Sequence, residues 1–104
     1  PTPFPDLLGP RPLAHAIAAT RARLKQPSSP YKGVDLRGMQ IDAELAPKAG
    51  VRGDYPALCG VRLQLRTVVV FLRFPRMEPS ASLSQGVVLV SRFGPTYRVW
   101  MVLH

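Results

Sequence analysis

The sequence is short of the residues that build most catalytic and metal sites. Its 104 residues include one cysteine, Cys59, and two histidines, His15 and His104. A single cysteine excludes a disulfide within the chain, and this set cannot supply a closed zinc site at the usual spacings. Glycine-rich phosphate loops, nucleophile elbows and paired-carboxylate motifs are also missing. We therefore predict a non-enzymatic protein with no cofactor, no metal and no small-molecule substrate.

Pro1 offers one enzymatic alternative. With a free amino group it resembles the amino-terminal proline that enzymes of the tautomerase superfamily use as a base. Those enzymes continue directly into a β-strand, whereas Pro3 and Pro5 oppose a central strand because proline cannot donate a ladder hydrogen bond. The resemblance covers one residue, and we do not expect this activity.

Long apolar runs are absent as well. The run at residues 68–72 is far below the roughly 20 residues that a membrane-spanning helix needs, and no longer one occurs. The first residues also lack the basic region and apolar stretch of a secretory signal. We expect no membrane span, and an intracellular or virion-associated location is favoured.

Negative charge is scarce, and the imbalance grows along the chain. The net charge is +8. Residues 51–104 hold seven arginines against Asp54 and Glu78, which gives +5, and no lysine follows Lys48. A GC-rich genome would also favour arginine over lysine, here eleven to three, but it explains the shortage of acids less well. Clustered positive charge indicates a nucleic acid or another acidic partner.

Arginine is suited to such a partner because its planar guanidinium group binds phosphate in two places and stacks on bases. Six arginines in the second half lie on or beside predicted strands, with two aromatic residues among them that are candidates for base stacking. We predict polyanion binding, most plausibly of RNA or single-stranded nucleic acid, by Arg62, Arg66, Arg73, Arg76, Arg92 and Arg98, with stacking by Phe93 and Tyr97. No motif of a known nucleic-acid-binding fold is readable, so the prediction depends on charge and placement alone.

The first third predicts an extended arm followed by one helix. Residues 1–11 hold Pro1, Pro3, Pro5 and Pro10, which favour extended geometry. A single helical turn starting at Asp6 is possible there, and the apolar side chains of the arm give it something to bury on its own domain or on a neighbouring subunit. Residues 12–26 predict a helix that begins at a proline and stops before Pro27. Its expected apolar stripe is Leu13, Ile17, Thr20 and Leu24, padded by Ala14 and Ala16.

The remainder predicts strands, so the expected fold is α+β. One N-terminal helix packs on a mainly antiparallel sheet of about four strands, possibly closing toward a barrel or sandwich. Residues 1–11 form the arm and residues 12–104 a single domain. Residues 39–45 alternate apolar and polar side chains, as in a half-buried strand. Residues 61–74 predict a long strand with a bend near Thr67, and residues 86–93 and 96–103 a hairpin in which Trp100 anchors one face.

A second functional class fits the same pattern. The strand segments around residues 68–72 and 87–90 are apolar on both faces, which is more apolar surface than one helix covers. An oligomeric structural subunit, such as a capsid, decoration or ribonucleoprotein component built by strand and arm exchange, would use that surface. The residues predicted to support self-association are Val68, Val70, Leu72, Val88 and Val90.

Overall fold

The computed structural model describes residues 4–26, 38–48, 61–74 and 85–103. Besides a short helical segment at residues 46–48, these residues form two helical segments and four strands. In chain order they are α1 (Pro12–Leu24), β1 (Gln40–Leu45), α2 (Val61–Gln64), β2 (Thr67–Arg73), β3 (Gln85–Phe93) and β4 (Thr96–Leu103).

The four strands form one sheet in the order β1-β2-β3-β4, and each pairs with the next in antiparallel orientation. α1 packs across one face of this sheet and contacts all four strands. The predicted α+β fold is therefore confirmed. The sheet is open, without closing into a barrel.

The face of the sheet toward α1, called here the helix face, carries the larger core. Side chains alternate along a strand, so every second residue of β2 and β3 points to the helix. Ala16 and Leu24 of α1 are buried against these residues. The sheet's contribution to this core is Val68, Val70, Leu72, Phe74, Val88 and Val90.

The opposite face carries a second, smaller core. Val69 and Leu89 are buried there together with Ala46, and Phe71, Val87 and Trp100 pack against them. Val68, Val69 and Val70 of β2 are all fully buried, so both faces of this strand are covered in its middle. Trp100 anchors this second face, as predicted, from an irregular position in β4 where the register shifts opposite Leu89 and Val90.

α1 begins at Pro12, as predicted, and ends two residues earlier than expected. Proline suits the first helical position because its missing N–H has no partner there. The buried stripe is Ala16, Thr20 and Leu24, spaced four residues apart. Leu13, which was expected in the stripe, is exposed, so the buried face of the helix is turned from the predicted one toward the smaller residue Ala16. Small side chains let the helix approach the sheet closely.

The long strand predicted for residues 61–74 is wrong in its first third. Residues 61–64 instead form α2, whose turn is closed by a hydrogen bond of 2.9 Å from the Leu65 N–H to the Val61 carbonyl. The chain changes to a strand at Thr67, the position of the predicted bend. The Thr67 hydroxyl donates back to the Leu63 carbonyl at 2.7 Å, which fixes this junction.

The predicted hairpin is present as β3 and β4. Its loop is Gly94-Pro95, and Gly94 has a φ of 64°, in the left-handed region that glycine adopts without steric cost. Among the described residues, no helix has the length and apolar character needed to cross a membrane.

Candidate functional site

The strand register gathers four arginines at one end of the sheet. At this end β2 begins, β3 finishes and β4 begins, since Thr67 pairs with Ser91 and Ser91 with Arg98. Arg66 directly precedes Thr67, and Arg92 directly follows Ser91. We call this region the arginine end and define it by Arg62, Arg66, Arg92 and Arg98.

The N-terminal arm docks at the arginine end. Asp6 forms an isolated antiparallel bridge with Arg92, and its backbone N–H donates to the Arg92 carbonyl at 2.8 Å. Its carboxylate accepts a hydrogen bond of 2.6 Å from the Gly94 N–H in the hairpin loop. β2 stops pairing with β3 at Thr67, which lies opposite Ser91, and the arm pairs with the next residue of β3, Arg92. The helical turn expected to start at Asp6 does not form.

Phe4 meets two of the four arginines. The guanidinium carbon of Arg62 lies 5.0 Å from the centre of the Phe4 ring, and that of Arg66 lies 5.6 Å from it. Both distances fall in the range of cation–π contacts. Arg66 also donates to the Arg62 carbonyl at 3.0 Å, which ties the two residues together across the end of α2. Phe4 remains 51% exposed.

Arg92 is the most enclosed of the four. It is half-buried, and one of its terminal nitrogens lies 3.2 Å from where a Cβ at Gly9 would stand. Its Nε is buried without a hydrogen-bond partner among the described residues. Arg92 therefore lies packed beneath the arm, whereas Arg62 and Arg98 are exposed.

The two predicted stacking residues differ in availability. The Tyr97 ring is stacked on His15, with ring centres 5.0 Å apart and planes inclined by 14°. The Tyr97 hydroxyl is buried without a partner among the described residues. His15 is held by its Nδ1, which donates to the Pro10 carbonyl at 3.1 Å. Tyr97 thus serves the packing of α1 on β4, while Phe93 is half-buried beside the hairpin loop.

The other predicted site residues lie elsewhere. Arg73 pairs with Gln40 and Gln85 at the far end of the sheet, and Arg76 lies outside the described residues. By alternation Arg98 points away from the helix face, unlike Arg92. The residues predicted to support self-association are all in the core beneath α1: Val68, Val70, Leu72, Val88 and Val90. These five side chains have no surface left for a partner.

The arginine end carries little compensating charge. Among the residues that the structure describes, none of its four guanidinium groups forms an ion pair. The carboxylate of Asp6, in the docked arm, accepts the Gly94 N–H. Exposed like charges without counter-charges create a positive potential that attracts anions.

Sequence reasoning missed Phe4 as a site residue. Its position among prolines indicated only an arm with something to bury, and no local pattern links it to Arg62 and Arg66.

No group of three or more histidine, cysteine, aspartate or glutamate side chains that could hold a metal occurs in the described part of the chain. Searches of protein-family models, of curated proteins and of solved structures found no match to this chain.

Proposed function

We propose that the protein is a non-enzymatic binding module that contacts nucleic acid, or a similar polyanion, through the arginine end. The observation that carries the proposal is the gathering of Arg62, Arg66, Arg92 and Arg98 at one sheet end without ion pairs among the described residues. Repulsion among like charges makes such a group costly unless a ligand neutralises it.

The chemistry of the group favours phosphate. Guanidinium groups donate paired, charge-assisted hydrogen bonds to phosphate oxygens, and each neutralised phosphate releases a condensed counterion. Binding of this kind weakens as salt rises, with a slope of about −0.7 in log affinity against log salt per phosphate on single strands. The slope of log affinity against log salt therefore measures the number of phosphates that the protein neutralises.

The test uses two double variants of equal charge. Arg62→Gln with Arg66→Gln removes two arginines from the arginine end, and Arg21→Gln with Arg73→Gln removes one exposed arginine from α1 and one from the far end of the sheet. We expect the first pair to flatten the salt slope for a fluorescent oligo(dT) by about 1.4 and to weaken all sequences alike. The control pair should keep the wild-type slope within about 0.5. Equal slopes in both variants, or no binding at about 50 mM salt, would refute the proposal.

An assembly subunit is the second candidate, and one observation favours it. β1 and β4 are the outer strands of the described sheet, which stays open, and each has an exposed apolar residue, Leu45 on β1 and Met101 on β4. Open strand edges pair readily with another chain. Light scattering after size exclusion at several salt concentrations distinguishes the two. A discrete oligomer that persists at high salt supports assembly, whereas a monomer that retains nucleic acid only at low salt supports binding.

A further inference from the structure

We propose that Phe4, whose ring contacts Arg62 and Arg66, is a stacking platform for one unpaired nucleobase and makes the arginine end select single strands over duplexes and over polyanions without bases. The inference rests on the proposed function and names the class of nucleic acid that the site takes. It assigns a role to a residue of the arm, which the sequence pattern linked to no binding surface.

The position of Phe4 is fixed by its neighbours in the arm. Pro5 is buried and Asp6 is bonded to both Arg92 and Gly94, so the backbone that follows the ring is anchored to the sheet. The ring itself is half exposed, at 51% of its accessible surface. An anchored aromatic ring with an open surface is what base stacking requires, because little side-chain entropy is lost on binding.

The two guanidinium groups complete the site electrostatically. Both lie within 5.6 Å of the ring centre, yet a phenyl ring carries no net charge, and neither guanidinium group forms an ion pair with a residue that the structure describes. A nucleotide supplies both missing partners, since its base stacks on the ring and its phosphate binds the guanidinium groups. Neither a sulfated sugar nor a carboxylate polymer offers the base.

Tyr97, one of the two predicted stacking residues at this end, cannot replace Phe4. The Tyr97 ring is already stacked on His15, and its hydroxyl is buried. Bases in a duplex are stacked on each other inside the helix, so a ring projecting from a protein surface reaches only unpaired ones. The geometry therefore points to single strands.

The experiment compares three variants against three probes of similar charge. The variants are Phe4→Leu, Phe4→Trp and, as a matched control, Leu7→Ala, which changes another exposed apolar residue of the arm. The probes are oligo(dT), a DNA duplex and heparin. We expect Phe4→Leu to weaken oligo(dT) binding about fivefold or more, as loss of base stacking does. Heparin and duplex binding should change less than about twofold, and Phe4→Trp and Leu7→Ala should bind oligo(dT) as the wild type does within the same factor.

The outcomes separate this inference from the proposed function. Failure of the wild type to bind any of the three probes would overturn the proposed function and the platform with it. Binding of all three probes that Phe4→Leu leaves unchanged would overturn the platform alone. An equal loss for all three probes would also overturn it, because Phe4 would then only hold the arginines in place. Hydrogen exchange of the Gly94 amide in Phe4→Leu verifies that the arm stays docked.

Discussion

At the scale of single residues, a short chain of hydrogen bonds through two hydroxyl groups joins four elements, β4, β3, β2 and α2. The Trp100 Nε1–H donates to Ser91 Oγ at 2.9 Å, and the Thr67 hydroxyl donates to the Leu63 carbonyl at 2.7 Å. The two hydroxyl oxygens lie 3.2 Å apart. Because the Thr67 proton is already used, the Ser91 hydroxyl must be the donor between them. The chain thus runs in one direction from β4 through β3 and β2 to α2.

Removing the middle hydroxyl leaves two partners unsatisfied. We expect Ser91→Ala to lower the free energy of unfolding by about 1–3 kcal/mol, because Trp100 Nε1 loses its acceptor and Thr67 Oγ1 its donor in a buried place. Urea unfolding measures the difference. Thr96→Ala, which removes an exposed hydroxyl from β4, should stay within about 0.5 kcal/mol of the wild type. Equal stabilities of the two variants would contradict the directed chain.

At the scale of elements, local sequence patterns correctly predicted two kinds of strand: those with one solvent-exposed and one buried face, and those joined by a recognisable turn. Residues 39–45 alternate, and β1 follows with Ile41 and Ala43 on the helix face. Residues 61–65 alternate in the same way, yet residues 61–64 form α2, and the side chains of Val61 and Leu65 are 69% and 56% exposed. The arm pairs with β3 through an antiparallel bridge between Asp6 and Arg92. That contact spans most of the chain, so no local pattern could reveal it.

Docking of the arm depends on the Asp6 carboxylate. We expect Asp6→Ala to release the arm from the hairpin loop, since the Gly94 N–H loses its acceptor and only the backbone hydrogen bond to Arg92 remains. Amide hydrogen exchange at Gly94 should then be at least about tenfold faster than in the wild type. Asp6→Asn keeps an acceptor oxygen and should retain most of the protection. Unchanged exchange in Asp6→Ala would show that the apolar contacts of the arm suffice.

Close packing of α1 on the sheet depends on Ala16. This residue is fully buried against the valines of β2 and β3, so a larger side chain has no space. We expect Ala16→Leu to destabilise the fold by about 1–3 kcal/mol through overpacking. Ala18→Leu places the same side chain on the exposed side of the same helix and should change stability by less than about 0.5 kcal/mol. Thermal unfolding of both variants tests the pair, and equal midpoints would contradict the packing.

At the scale of the whole molecule, the chain uses its two-faced apolar strands internally. The sequence pattern could predict an α+β fold and the apolar character of Val68 and Val90. It could not show that α1 and a second core around Leu89 cover both sides. For the same reason, the pattern identified the arginines but not their arrangement. The docked arm contacts Arg62 through Phe4 and Arg92 through Asp6, whereas Arg73 lies at the other end of the sheet.

The central claim is that the arginine end binds nucleic acid, and the most direct test is to map where a ligand contacts the protein. We would titrate the labelled protein with a short single-stranded oligonucleotide at low salt and follow the backbone amide shifts by NMR. The account predicts that the largest shifts fall at Phe4, Arg66, Arg92 and Gly94, with little change at Gln40 and Arg73 at the far end of the sheet. Shifts centred on Gln40 and Arg73, or no shifts at all, would contradict a binding surface at the arginine end.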